Sequence, residues 1–213
     1  MMATTHVFGA LALAALVAVL VPEFALVVAV AAIVGGFFPD LDLYAGHRKT
    51  LHFPVYYSIA AVPAAVVAVL VPTPGTVALA VFLLAAALHS VSDAVGGGLE
   101  LKPWHGTSRR AVYSHYHGRW IEPRRWVRYD GAPEDLALAS VLAVPALVVF
   151  DGVVTDVVVA LLLVSIGYTL ARKRMVQVTE RLIAWAPATV VERVPERFLP
   201  VEDEAKEPYV LGD

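Results

Sequence analysis

The sequence predicts an all-α, polytopic integral membrane protein with about six transmembrane helices in three hairpins. Composition is the first reason. Of 213 residues, 59% are hydrophobic and 16% charged, and the mean hydropathy is +0.70. A soluble domain is about half apolar and a quarter charged. The placement of charge is the second. Residues 7–38 hold one charged residue, Glu23; residues 53–92 hold none; residues 136–171 hold only Asp151 and Asp156. The third is the distribution of cations. With six spans, all sixteen Lys and Arg fall on the side of the N-terminus, in segments 39–53, 93–134 and from Arg172 onward. The positive-inside rule then places both termini and both long loops in the cytoplasm, with the chain in a cell (inner or plasma) membrane. The absence of cysteine excludes disulfide scaffolds, thiolate metal sites and cysteine nucleophiles. A net charge of -3 argues against a general nucleic-acid binder.

Each helix follows from length and breakers. A span needs about 20 apolar residues. Residues 7–38 exceed one span and just supply two short ones, divided by Val21-Pro22-Glu23. We read helices near 6–21 and 24–38, whose shortness implies tilt or local thinning. A single helix over 7–38 would instead move His6 to the outer side. Further spans fall near 54–72 and 76–92, separated by Pro72-Thr73-Pro74-Gly75. The last two fall near 135–150 and 153–172, separated by Asp151-Gly152. Residues 1–172 form the membrane domain, with cytoplasmic loops 39–53 and 93–134. Residues 173–213 form a cytoplasmic tail. From about 186 it is rich in proline and acid (Val201-Glu202-Asp203-Glu204) and reads as partly disordered. The first six residues carry no Lys or Arg, so the N-terminus does not read as a secretory signal.

Ionisable groups beside membrane helices are costly and mark function. Here they gather at helix ends. His6 opens the first helix. Asp40 and Asp42 follow the second. His47, Arg48 and His52 lie in the loop entering the third. His89 and Asp93 close the fourth, four residues apart on one helix face. Pro39 argues against helix at Asp40 and Asp42, and extended backbone would point both side chains the same way. His6, His52, His89, Asp40, Asp42 and Asp93 form a nitrogen- and oxygen-rich donor set. It suits Zn²⁺, with Mn²⁺ or Fe²⁺ as alternatives, as one ion or two. One ion would acidify a bound water; a second would face the developing negative charge. Arg48 would grip a phosphate oxygen. His47 would protonate a leaving group or orient a ligand. Each element also has a plainer reading. His6 is then an interfacial residue, Asp40 and Asp42 cap a turn, and His89 bonds Asp93. Taken together the plain readings require four separate segments to place such groups on one side by chance.

His6, Gly-Gly-Phe-Phe-Pro39-Asp40-Leu-Asp42, His47-Arg48-Lys-Thr-Leu-His52 and His89-Ser-Val-Ser-Asp93 resemble the membrane-bound metal-dependent hydrolase family. Its members are also described as LexA-binding, inner-membrane-associated hydrolases. The likeness spans about residues 6–100. It implies a membrane-bound, metal-dependent hydrolase whose ligands are these His and Asp residues. The family's Thr-His-Ser stands here as Leu51-His52-Phe53, and its glycine after His-Arg is Lys49. The order of ligands is also loosely similar to that of zinc-dependent phospholipase C enzymes. That favours phosphoester chemistry on a lipid or amphiphile.

Residues 99–130 alternate aromatic and basic residues. One reading is an interfacial segment on membrane lipids. The other is a small β-hairpin closing over the site. His115 and His117 would then share a strand face as secondary ligands, with His105 behind them, above a phospholipid-like substrate. Two rival functions stay open. The chain would dock a cytoplasmic protein partner through this loop and the 186–213 tail. Or it would be a small ion-coupled transporter using His89 and Asp156.

Overall fold

The computed structural model describes residues 1–195, 198 and 199. The fold is mostly helical. Helices α1 (Ala3–Leu20), α2 (Ala25–Phe37), α3 (Pro54–Leu70) and α4 (Pro74–Ser92) are followed by strands β1 (Val112–Ser114) and β2 (Arg119–Ile121). Helices α5 (Pro133–Val149), α6 (Val153–Trp185) and the single turn α7 (Ala188–Val191) complete it. The six expected helices are present. Four segments are long and apolar enough to cross a membrane: Ala3–Leu20, Pro22–Asp42, Pro74–Val95 and Val153–Trp185. Helix α3 is apolar but shorter. Leu20 and Val69 are 80% exposed and Val148 78%. Apolar surface of that extent suits hydrocarbon rather than water.

Helix α1 is the hub. It packs on α2, α4 and α5; α3 packs on α4, and α6 mainly on α5. Its buried face is small, with Ala10, Ala14 and Ala18 at four-residue spacing, and Ala139, Ala143 and Ala146 of α5 are also buried in the shared core. Small residues let helix backbones approach where lipid offers no hydrophobic drive. The closest approach is at Gly35 and Gly36. A Cβ on Gly35 would lie 2.5 Å from the Phe82 carbonyl oxygen, and one on Gly36 would lie 3.0 Å from Val7 Cα. These two glycines let α2 press against α4 and α1 where the polar groups gather.

Two local readings are corrected. The chain does not become extended after α2: Phe38–Asp42 forms a 3₁₀ turn continuous with it. Pro39 sits in the first turn, where a missing N–H leaves no bond unmade. The last long helix does not end at 172 but runs to Trp185. Charges at 172–174 mark the end of the apolar stretch, yet no helix breaker stands before Pro187. At 1.5 Å per residue its 33 residues span roughly 50 Å, well beyond a hydrocarbon core of about 30 Å. Residues 173–185, read from the sequence as the start of the tail, therefore continue this helix. The acidic stretch at Val201–Glu204 lies outside the described residues.

The second loop holds the only sheet among the described residues, an antiparallel pair with Val112 opposite Ile121 and Ser114 opposite Arg119. It is tied to the first loop, because Tyr113 N donates to Arg48 O (2.9 Å). It is also tied to the segment after α4 through Arg124 N–Ala94 O and Arg125 N–Gly96 O.

Candidate metal centre

The first turn of α1 is fixed by a carboxylate outside the sequence motifs. Buried Asp135 accepts from Met2 N and Thr5 Oγ1 (both 2.7 Å) and from Gly131 N (3.0 Å). His6 is thereby set one turn into α1, against the end of α4. The 3₁₀ turn after α2 supplies Asp40 and Asp42, the following loop supplies His52, and the last turns of α4 supply His89 and Asp93.

Five of the six predicted ligands converge. His6, His89 and Asp93 can hold one ion, as can Asp40, His52 and His89. Within each group the donor atoms lie within 4.8 Å of one another. His6 Nε2 is 3.2 Å from Asp93 Oδ1, and His52 Nε2 is 3.2 Å from Asp93 Oδ2. His89 Nε2 is 3.5 Å from Asp40 Oδ1 and 3.6 Å from Asp93 Oδ2. Donors bound at about 2.0–2.2 Å stand roughly 3–3.6 Å apart around one ion. His52 Nε2 to Asp40 Oδ1, at 3.8 Å, is slightly wider.

The hydrogen bonds decide which nitrogen each ring offers. His89 Nδ1 donates to Gly36 O (2.6 Å). His52 Nδ1 donates to Asp42 Oδ2 (3.0 Å). His6 Nδ1 faces Ser92 Oγ (3.0 Å), whose own hydrogen goes to His89 O. Each ring thus carries its hydrogen on Nδ1 and turns an Nε2 lone pair inward. All three Nε2 atoms and Asp93 Oδ2 are buried and make no well-formed hydrogen bond outside the cluster; their polar neighbours are one another and Asp40, at 3.2–3.6 Å. Without an ion these atoms depend on shared protons for satisfaction; a cation among the lone pairs would serve them together, and an Nδ1–H held by a carbonyl or carboxylate is the usual support of a metal-ligating histidine.

Asp42 does not join this set. Its Oδ1 accepts from His47 Nδ1 (3.1 Å) and Arg48 N (3.3 Å), and its Oδ2 from Leu51 N and His52 Nδ1 (both 3.0 Å). Four bonds use its acceptor capacity. It positions His52 instead of ligating. Asp42→Ala should therefore lower metal affinity about 10–100-fold, the usual effect of losing such a support. Competition titration against a chelator checks this.

Arg48 is also committed to the protein. It has a left-handed backbone (φ 58°) and is 6% exposed. Its Nη1 donates to Gly97 O (2.8 Å) and Ala111 O (3.4 Å), and its Nη2 lies 3.6 Å from Asp93 Oδ1. Both fork nitrogens face protein oxygens, so the expected two-pronged grip on phosphate is not presented. The guanidinium joins both loops to the cluster and offsets the Asp93 charge.

His115 and His117 are not on a strand face. Both lie in the four-residue turn between β1 and β2. His115 Nε2 bonds Lys49 O (2.6 Å) and its ring lies 4.7 Å from that of Phe53. His117 Nδ1 bonds Ser114 Oγ (2.8 Å). Neither is among the metal-holding groups of the described residues. His105 lies edge-on to Trp104, with ring centroids 6.2 Å apart. Asp156 lies in the first turn of α6, sixteen residues before Arg172, and is not among the metal-holding groups of the described residues.

His52, in the loop before α3, carries the pH dependence. Burial pulls its pKa down, but hydrogen bonds to Asp42 and Asp93 and their charges outweigh burial and raise it from 6.5 to about 9. In the metal-free protein the proton then sits where an ion would bind. A histidine with a raised folded pKa contributes stability that is full below its unfolded pKa and lost as pH rises through the folded one. Melting of the metal-free protein should show this loss between about pH 6.5 and 9. Metal affinity should rise over the same window, because binding releases the proton.

No family model, curated protein or solved structure matches the chain.

Proposed function

We propose that the protein is a membrane-bound, metal-dependent hydrolase acting on a phosphoester at the cytoplasmic face of a six-span scaffold. The observation that carries this reading is the trio of buried Nε2 atoms beside Asp93, each ring held from behind at Nδ1. His6, His52, His89, Asp93 and Asp40 would hold one divalent ion, with zinc the best match to three imidazoles and two carboxylates. One ion is favoured because both candidate groups need His89, whose Nδ1 is already bonded. When bound, the ion would supply Lewis acidity and, where the partly exposed Asp40 carboxylate yields its place, a more acidic water.

The chain's own residues do the rest. Asp42 aims His52 and also holds His47 Nδ1. His47 lines a cavity of about 360 Å³ next to Asp40, placed to give a proton to a leaving group there. Arg48 closes the cluster from the loop side. Asp40 is the ligand with an open side, at 23% exposure of its side chain against 0–2% for His6, His52, His89 and Asp93. It therefore borders both the ion site and the cavity. The resemblance in motif order to membrane-bound metal-dependent hydrolases supports the same reading. The test is hydrolysis of bis-p-nitrophenyl phosphate by protein reconstituted in vesicles. Activity should vanish with a chelator and return with Zn²⁺; activity indifferent to chelation would contradict the proposal.

A further inference from the structure

Two cavities meet at the candidate centre. The inner one, about 360 Å³, runs from Asp40, His47 and Arg48 past Phe37 to Leu161 and Val164 of α6. The outer one, about 520 Å³, is bordered by Thr107, Ser108, Arg110 and Trp120 of the second loop. They share Leu43, His47, Leu99 and Glu100 as a common wall. His47 thus stands between two chambers, of which the inner one reaches α6 and carries the charged groups of Asp40, Arg48, Asp130 and Arg172.

The inner chamber reaches into the membrane. Leu161 lies eleven residues before Arg172, roughly 16 Å along the helix, and one leaflet's hydrocarbon is about 15 Å deep. Helix α6 packs mainly on α5 and touches α1 little. Val164 borders the chamber and is still 58% exposed, so the wall at α6 is open to surrounding hydrocarbon. At its polar rim, Arg172 is held by Asp130 through Nε (2.9 Å) and Nη2 (3.1 Å). Asp130, in the loop before α5, is pushed up by burial, but the Arg172 charge outweighs this and holds its carboxyl below the usual range. That pair fixes α6 at its polar end while the apolar end stays open.

We infer that the inner chamber takes the aliphatic chain of a membrane amphiphile entering sideways past α6. Its polar end comes to rest between Asp40 and His47, facing the outer chamber. This rests on the hydrolase reading for its chemistry but not for its binding. A chamber within the usual 300–1,000 Å³ range of ligand sites, with Phe37, Leu43, Leu99, Leu161 and Val164 offering apolar wall beside the charged groups at Asp40, His47 and the Asp130–Arg172 pair, suits an amphiphile better than a wholly water-soluble ester.

The probe is phosphatidic acid bearing a diazirine on its acyl chain, in vesicles containing the full-length protein. Photolabel is expected on the inward residues Phe37, Leu43 or Leu99. Val164→Trp, a change at a lipid-exposed position, should cut that label about tenfold. Metal content and hydrolysis of short, soluble bis-p-nitrophenyl phosphate should stay unchanged. Leu161→Phe provides a second, milder obstruction with the same expected direction. Label confined to the outward Leu163 and Leu170, or undiminished by both substitutions, overturns the inference. Inward label on a protein that neither binds metal nor hydrolyses the soluble ester upholds the chain site and overturns the hydrolase reading.

Discussion

Replacing His89 and Asp93 together by alanine should remove the bound ion and all hydrolysis that depends on it. The expectation is strong because the two residues serve every part of the cluster. His89 belongs to both candidate metal-holding groups, and Asp93 presents one oxygen to His6 and the other to His52 and His89. Removing them takes away two of five donors and leaves His6 and His52 without a common partner. Elemental analysis of the purified variant should find metal at background level. Retention of a full complement of metal would show that the ion, if any, sits elsewhere. Folding is checked separately by helix content. Removing Asp93 also leaves the buried Arg48 guanidinium without its carboxylate, so the variant should be less stable even in the metal-free state, and a His89→Ala single variant keeps that pair while still losing a donor shared by both groups.

His47→Gln should behave differently. The ion should remain bound, while kcat falls about 10²–10⁴-fold, the usual contribution of a general acid or base. The distinction follows from position. His47 Nδ1 is 3.1 Å from Asp42 Oδ1 and 3.9 Å from Asp40 Oδ1, and the residue borders both cavities, yet it is absent from the metal-holding groups. Steady-state kinetics beside metal analysis on one preparation checks both halves. A variant that loses metal in proportion to activity would make His47 a support for the ligands rather than a proton donor. A variant with unchanged kcat would remove it from the chemistry.

Much of this arrangement was legible in the chain. Helix positions followed from long uncharged stretches and from proline turns, because membrane length and backbone satisfaction leave few alternatives. His6, Asp40, His52, His89 and Asp93 were legible as a set because charged and imidazole groups at four helix ends are costly. What escaped was the division of labour among them. Asp40 and Asp42 are alike in sequence, but only the fold shows that Asp42 receives four hydrogen bonds while Asp40 borders the cavity. Arg48 looked like a phosphate grip, and its partners are carbonyls at Gly97 and Ala111, far away in sequence. Ser92, Gly36 and Asp135 act through hydrogen bonds that no spacing rule encodes. The paired glycines were a visible signal for Gly36, since only glycine permits the approach that brings its carbonyl to His89.

The central claim is that three imidazoles and two carboxylates surround one ion. X-ray absorption at the metal edge of the purified, zinc-loaded protein tests it most directly. The account predicts one zinc per chain, three imidazole nitrogens at about 2.0–2.1 Å and carboxylate oxygen completing the shell. Fewer than two imidazoles, or no stoichiometric metal, would contradict it.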